Sequence, residues 1–380
     1  MRQPGDTIAD APAPGVGPGP GGRSTLSYVL LPRPGEAWVK GWLPVIAFGV
    51  VALTGNDLAG PPLPVALAAW AVFELVLYQT RYLVNDLADA EVDRTHVAAA
   101  TRGRLPAGDA TRRLARASIV PRVAVGLGAA LLLPPPARGV TLAATAGLVA
   151  ATVAYEAART VVRRRRVDRA TARLTAVEVA VYALVGAGYA VRIGLGAGLA
   201  GAGAALAGAA AAYGWAFGTL VVVMTWTCEA AGLLAGDGQA VLARKSHIAV
   251  LARLIGDGPE RVAAPLLGGR PARLVAVLEG VATGTALVLG AGLDEAPTPI
   301  GAVALVAVCV VAGPLVVAVW PRPGVGWAAA VLALVTCLVA GGGGGVGTAA
   351  VVFCVAGPVA TFRTFTPASL GLAPARTPGG

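Results

Sequence analysis

Charge is scarce in this sequence. Of its 380 residues only 13% are Asp, Glu, Lys or Arg, against 56% apolar, and the mean hydropathy is +0.72. A chain so poor in charge is outside the range of an ordinary soluble domain and inside that of a polytopic membrane protein. Lysine is nearly missing, with Lys40 and Lys245 the only examples, so arginine carries the formal charge of +10. The arginines fall between apolar runs, which suits a membrane surface better than nucleic acid. The four cysteines, Cys228, Cys309, Cys337 and Cys354, lie in or beside apolar segments and form no C-x-x-C pair, so they read as small core residues. Two histidines, His96 and His247, are too few for a histidine-based metal site. What is abundant instead is glycine, 52 residues, together with alanine. Small residues allow close helix–helix approach in lipid.

Residues 1–24 are rich in Pro and Gly without apolar periodicity, and a disordered tail is expected there. They contain no continuous apolar stretch of the kind a signal peptide needs. Residues 27–40 read as an interfacial lead-in, with Trp38 and Trp42 at headgroup depth. Apolar runs long enough to cross a bilayer follow near 42–58, 63–84, 117–134, 139–160, 174–196, 205–231, 272–292, 299–320 and 326–340. A tenth candidate lies at 346–362, beyond the glycine run 341–345. The expectation is an all-α transmembrane bundle of nine or ten helices over residues 25–362, with a flexible tail at 363–380. The connections after the second, fourth and sixth spans carry Arg94, Arg102 and Arg104, then Arg163 to Arg166, then Arg244 and Lys245. The alternate connections carry almost no basic residue, Arg138 excepted, so the basic loops are expected in the cytoplasm.

Chemistry concentrates in Arg81 to Gly108, where the second span ends. Asn85, Asp86, Asp89 and Asp93 fall at roughly 0°, 100°, 40° and 80° around a helix, within about a quarter turn. Three carboxylates so close repel one another and call for a counter-charge. A hard divalent cation with oxygen ligands, Mg²⁺ above all, fits them, and Mg²⁺ commonly completes its shell with substrate phosphates. A second candidate region ends the sixth span. There Glu229 and Asp237 are eight residues apart, roughly 80° on a continuous helix, though Gly232, Gly236 and Gly238 interrupt that helix. Arg244 and Lys245 follow and could contact phosphate oxygens. Within the spans, Arg81, Tyr155, Arg159 and Arg192 are candidates to hold a diphosphate or balance the carboxylates, while Glu74 and Glu279 could pair with another helix.

These residues resemble the UbiA superfamily of intramembrane prenyltransferases. The family pattern N-D-x-x-D-x-x-x-D is matched in full by Asn85, Asp86, Asp89 and Asp93. Arg33-Pro34 before the first span, Arg104 to Gly108 after the motif, and Tyr155 with Arg159 are also similar to the family. The resemblance implies a helical bundle in which Mg²⁺, held by Asn85, Asp86, Asp89, Asp93, Glu229 and Asp237, binds a polyprenyl diphosphate. Asp86, Asp89 and Asp93 would be the catalytic carboxylates. Arg81, Asn85, Arg94, Arg104, Tyr155, Arg159, Arg192, Arg244 and Lys245 would bind the diphosphate. An allylic cation would then form between apolar walls and be captured by an acceptor. The second motif departs from the family's D-x-x-x-D pair, with Glu229 and Asp237 in its place. The string from Tyr82 to His96, with Tyr189 to Arg192 and Arg244-Lys245-Ser246, is similar to the actinobacterial decaprenyl-phosphate phosphoribosyltransferases. Val97 to Ala100 depart from that branch, which has a Pro and a basic pair there. The resemblance therefore leaves open prenyl transfer, phosphoribosyl transfer to a polyprenyl phosphate, and terpene cyclisation, all by a multi-pass protein of a bacterial cell membrane. A catalytically degenerate membrane protein or transporter is the alternative outside enzymes. The expected partners are a lipid-soluble prenyl substrate, an acceptor and membrane lipids, without nucleic acid.

Overall fold

The computed structural model describes residues 24–294, except 55–59, 95–104, 107, 166, 237, 258–261, 263–265 and 267–268, and also residue 307. The spans expected at 299–320, 326–340 and 346–362, both tails, Arg104 and Asp237 lie outside the described residues. All regular structure among the described residues is helical. Two short helices, α1 (Thr25–Leu30) and α2 (Pro34–Lys40), precede α3 (Trp42–Thr54). Helix α4 (Leu63–Ala71) runs through a π-helical turn (Val72–Leu77) into α5 (Tyr78–Arg94). Then come α6 (Asp109–Leu132), α7 (Pro135–Arg164), α8 (Ala176–Leu199) and α9 (Ala204–Ala235). The chain continues through α10 (Gln239–Leu242) and α11 (Ser246–Ile255) to α12 (Gly269–Asp294).

Five of these helical stretches are long and apolar enough to cross a membrane: Leu63–Glu91, Asp109–Leu132, Pro135–Arg164, Ala176–Leu199 and Ala204–Ala235. They coincide with the expected second to sixth spans. The first expected span is a helix of only 13 residues, α3, and the seventh expected span lies within the 26 residues of α12. At a rise of ~1.5 Å per residue the described α3 covers roughly 20 Å, and residues 55–58 of that expected span lie outside the described residues.

Helix α8 sits centrally, against α3, α7 and α9. In lipid the hydrophobic effect does not drive helices together, so close packing between small residues must. At Gly186 a side chain would collide with Thr219 of α9, and at Gly218 it would collide with the ring of Tyr189 of α8. These two glycines set the spacing of the α8–α9 pair. One apolar core, including Met224, Leu233, Leu242, Ile248 and Leu251, joins α9 to α10, α11 and α12. A second, including Phe73, Tyr78, Leu148 and Leu195, joins the α4–α5 rod to α7 and α8.

The π turn is braced from two sides. Arg122, next to the helix-internal Pro121 of α6, donates to the carbonyls of Leu75 and Val76, both at 3.3 Å. The same guanidinium reaches the carbonyls of Val29 and Leu30, both at 2.9 Å, and so ties α1 to the turn. From the other side, Arg192 of α8 donates through Nε to Glu74 Oε2 at 2.8 Å and through Nη2 to Oε1. Both residues are fully buried, and the guanidinium lies 3.5 Å above the ring of Tyr78. Glu74 thus pairs with another helix, as its place in an apolar span suggests.

Candidate functional site

A cavity of about 490 Å³ opens where α5, α7 and α9 end together. Its floor is the α4–α5 rod, which contributes Tyr78, Arg81, Tyr82, Asn85 and Asp89. Helix α7 adds Tyr155 and Arg159, spaced one turn apart. Helices α8 and α9 add Val185 and Tyr189, then Val222, Thr225, Trp226 and Glu229. Lys245, His247 and Ile248 come from the start of α11, and Arg33, Glu36 and Lys40 come from α2 and the residue before it. The wall is therefore drawn from six separate stretches of the chain.

The carboxylates of the acidic motif each meet a cation of the chain. Asp86 takes hydrogen bonds from Tyr28 and Arg33, which brings the N-terminal segment down onto α5. Asp89 pairs with Arg159, whose other nitrogen donates to Asn85, and with Arg163 at 3.4 Å. Lys245 Nζ stands between Asp93 at 3.8 Å and Glu229 at 3.5 Å. That bridge joins the two acidic regions. Lys40 pairs with Glu36 one turn earlier on α2 and also stands 5.6 Å over the Tyr189 ring. The five cations lining the cavity, Arg33, Lys40, Arg81, Arg159 and Lys245, are thus balanced by five carboxylates, Glu36, Asp86, Asp89, Asp93 and Glu229.

Arg81 is the cation in this set held without a carboxylate partner among the described residues. Its Nη1 donates to the Tyr78 hydroxyl at 2.6 Å, and its guanidinium lies 5.3 Å from the Tyr78 ring and 5.9 Å from the Tyr155 ring. The head is seated against Gly188 of α8, where any side chain would collide with Arg81 Nη1 and the Tyr78 hydroxyl. A guanidinium fixed by aromatic faces, with donors left over, is suited to phosphate oxygens.

Local backbone features place the α11 end of the site. Thr175 and Glu178 form a capping box at the start of α8, and Glu178 Oε1 also accepts from Ser246 Oγ at 2.6 Å. The Tyr182 hydroxyl donates to the carbonyl of His247 at 2.6 Å. These two contacts pin residues 246–247 to α8 and so fix Lys245 and His247 over the cavity. Burial, then the cations Lys245 and Arg159, push the His247 imidazole down to about 3, so it is neutral at pH 7. Burial works to raise the carboxyl of Glu36, but Lys40 and Arg33 outweigh it and hold the group down at about 2. Burial likewise opposes the charge of Arg33, and Asp86 and Glu36 override that to raise it.

Of the residues singled out in the sequence, Arg81, Asn85, Asp89, Tyr155, Arg159, Glu229 and Lys245 line the cavity. Asp86 and Asp93 stand behind that wall, joined to it through Arg33 and Lys245. Arg192 does not line the cavity, because Glu74 takes its guanidinium. Arg244 is likewise outside the wall. Arg94 ends α5. Helix α9, which carries Glu229, stops at Ala235 with Gly236 as its cap, and Asp237 lies outside the described residues. Sequence reasoning did not name Glu36, Lys40, Tyr189, Trp226 or His247 as site residues. Tyr189 carried a signal as the start of the stretch Tyr189 to Arg192, and Lys40 as one of two lysines in the chain.

Mg²⁺ is usually held by one or two carboxylates together with waters and phosphates, not by a protein cage. Among the described residues no three His, Cys, Asp or Glu side chains gather into such a cage. Asn85, Asp89 and Glu229 nevertheless all present oxygen to one cavity, a donor set that fits Mg²⁺. No family model, no curated protein and no solved structure matches this chain.

Proposed function

We infer that the chain is an intramembrane transferase that ionises a polyprenyl diphosphate and passes the prenyl group to an acceptor. The observation that carries this reading is Arg81, a cation held without a carboxylate partner among the described residues in a charge-balanced, aromatic-walled cavity lined by four of the five spanning helices. In such a site the incoming anion meets Arg81 first. Because the five cations, Arg81 included, are matched in number by five carboxylates, a diphosphate needs a positive charge of its own, which favours arrival with Mg²⁺. Asn85, Asp89 and Glu229 would hold that ion, with Asp86 and Asp93 fixing the cations behind them. When bound, the metal supplies the charge neutralisation that makes diphosphate a better leaving group. Arg81 binds and orients the diphosphate oxygens. The rings of Tyr78, Tyr82, Tyr155 and Trp226 exclude water and offer π faces to a carbocation. Arg163 at the end of α7 and Lys245 before α11 both reach carboxylates of this site, and basic residues on the cavity's side support a cytoplasmic opening in a bacterial cell membrane.

The test is turnover by purified protein in detergent with Mg²⁺. A series of prenyl diphosphates is offered, and separately phosphoribosyl diphosphate with a polyprenyl phosphate. Diphosphate release from a prenyl donor, abolished in Asp89→Ala, is the expected result, and product mass separates transfer from cyclisation. Turnover with the phosphoribosyl donor alone would replace prenyl transfer with phosphoribosyl transfer. Inactivity with both donors would leave a non-catalytic membrane protein as the better reading.

A further inference from the structure

The end of α7 carries arginine on two faces. Tyr155, Arg159 and Arg163 follow one another in steps of ~40° and form an inward row. Arg159 and Arg163 both reach Asp89 from it. Around the helix from that row, Val149, Val153, Ala157, Thr160 and Arg164 fall at roughly 0°, 40°, 80°, 20° and 60°, one narrow arc. All five are exposed, Val149 by 55% and Val153 by 65%. An exposed valine track on a spanning helix faces hydrocarbon. The 30 residues of α7 cover roughly 45 Å, more than a hydrocarbon core of ~30 Å, so its last turn stands among headgroups.

Two further exposed arginines join Arg164 there. Arg165 caps α7, and Arg173 stands just before the cap of α8. The two helix ends are packed together through Val162, Val177 and Val181, which holds the three arginines at one end of the α7–α8 pair. Their side chains make no ion pair or hydrogen bond among the described residues. The carboxylates of this end are engaged elsewhere. Glu156 pairs with Arg159 and Arg163, Asp257 with Arg169, and Glu178 bonds Thr175 and Ser246. Asp168 accepts from the backbone of Ala170 at 3.3 Å. Leu174 and Val179, 47% and 48% exposed, add apolar surface at the start of α8.

Free cations at the head of an apolar track select an amphiphile with a negative head and a hydrocarbon tail. Guanidinium forks match phosphate oxygens. Val153 lies roughly 16 Å along the axis from Arg164, about the depth of one leaflet of a ~30 Å core. A zwitterionic headgroup brings its own ammonium and needs no arginine, and a soluble anion has no use for the track.

We propose that Arg164, Arg165 and Arg173, with the track of Val149, Val153 and Ala157, form a binding surface for an anionic phospholipid of the leaflet on the cavity's side. The phosphate sits on the arginines and one acyl chain lies along α7. The lipid thereby seats the same helix end that carries Arg159 and Arg163 to Asp89. This surface is separate from the cavity and binds its lipid whatever reaction the cavity performs.

Full-length protein in dodecyl maltoside tests it. Dioleoyl-phosphatidylglycerol, dioleoyl-phosphatidylcholine and inorganic phosphate are added separately, and melting and hydrogen exchange are followed. Phosphatidylglycerol raises Tm and slows exchange at the end of α7 and the start of α8, and the other two do neither at the same concentration. In Arg164→Gln/Arg165→Gln/Arg173→Gln the lipid-free Tm stays within ~2 °C of wild type, because the three side chains bond nothing among the described residues. The phosphatidylglycerol concentration for half the shift rises at least ~10-fold in that variant. In Arg164→Lys/Arg165→Lys/Arg173→Lys, which keeps the charge, it stays closer to wild type than to the Gln variant. Equal effects of the two lipids, an effect of phosphate alone, or an unchanged half-maximal concentration in the Gln variant overturns the proposal. So does protection confined to other helices, or a Lys variant that behaves like the Gln variant. A larger fall in the lipid-free Tm of the Gln variant also overturns it, since the arginines would then have a partner within the protein.

Discussion

The buried pair of Arg192 and Glu74 offers a perturbation whose size follows from the geometry. Both side chains are fully buried, and two guanidinium–carboxylate hydrogen bonds join them. Arg192 also lies 3.5 Å above Tyr78 and 3.4 Å from the Tyr82 hydroxyl. Arg192→Met keeps the length of the side chain and removes the charge, which strands the Glu74 carboxylate between helices. Breaking one side of a buried pair costs ~3–5 kcal/mol, because the remaining charge has neither water nor partner. Glu74→Gln strands the guanidinium and costs a similar amount, softened by the Tyr78 face. The double variant has no stranded charge, so its loss should fall short of the sum of the singles by at least ~2 kcal/mol. At ~2–4 °C per kcal/mol, each single variant should lower Tm by roughly 10 °C. Thermal melting of all four proteins in one detergent, followed by circular dichroism, completes the cycle. If the losses simply add, the pair is not coupled and the reasoning fails.

Three further outcomes are expected. Gly188→Ala pushes the Arg81 head off α8, so binding of inorganic diphosphate with Mg²⁺, read by titration calorimetry, should weaken at least ~10-fold (~1.4 kcal/mol) while Tm changes little; unaltered affinity would show that Arg81 does not meet the anion. Arg122→Met removes the donor to four backbone carbonyls of α1 and the π turn, and should cost ~2–3 kcal/mol with faster hydrogen exchange across residues 25–40; exchange that is equally slow would contradict the brace. The third concerns pH. His247 stays neutral in the fold down to about 3, whereas the unfolded chain takes a proton near its ordinary value of 6.5. Between those values the unfolded state binds the extra proton, so stability should fall as pH drops from 6.5 toward 3, by at most ~1.4 kcal/mol per unit from this group. His247→Gln should flatten that slope relative to wild type, and parallel profiles would rule out the buried neutral imidazole.

Much of this molecule is written locally. Apolar runs of sufficient length select spanning helices, because lipid leaves the backbone no other partner than itself. Five of the expected spans appear as helices of the required length and composition. The 3.6-residue period alone puts Asn85, Asp86, Asp89 and Asp93 on one face, and glycines ended α9 before Asp237. What a linear pattern cannot carry is which charge meets which. Arg192 and Arg81 look alike in sequence, each a lone arginine in an apolar span. The fold sends one to Glu74, 118 residues away, and leaves the other in the cavity on Gly188. Lys245 joins Asp93 to Glu229 only because Glu178 and Tyr182 pin the start of α11 to α8. The N-terminal segment roofs the site through Arg33 and Tyr28 on Asp86, and nothing in its composition announces that. The period of a helix is set residue by residue, so the sequence determined the spans and the acidic face. Long-range pairing of charges minimises a sum over the whole bundle, so only the tertiary structure could decide which cation remained free.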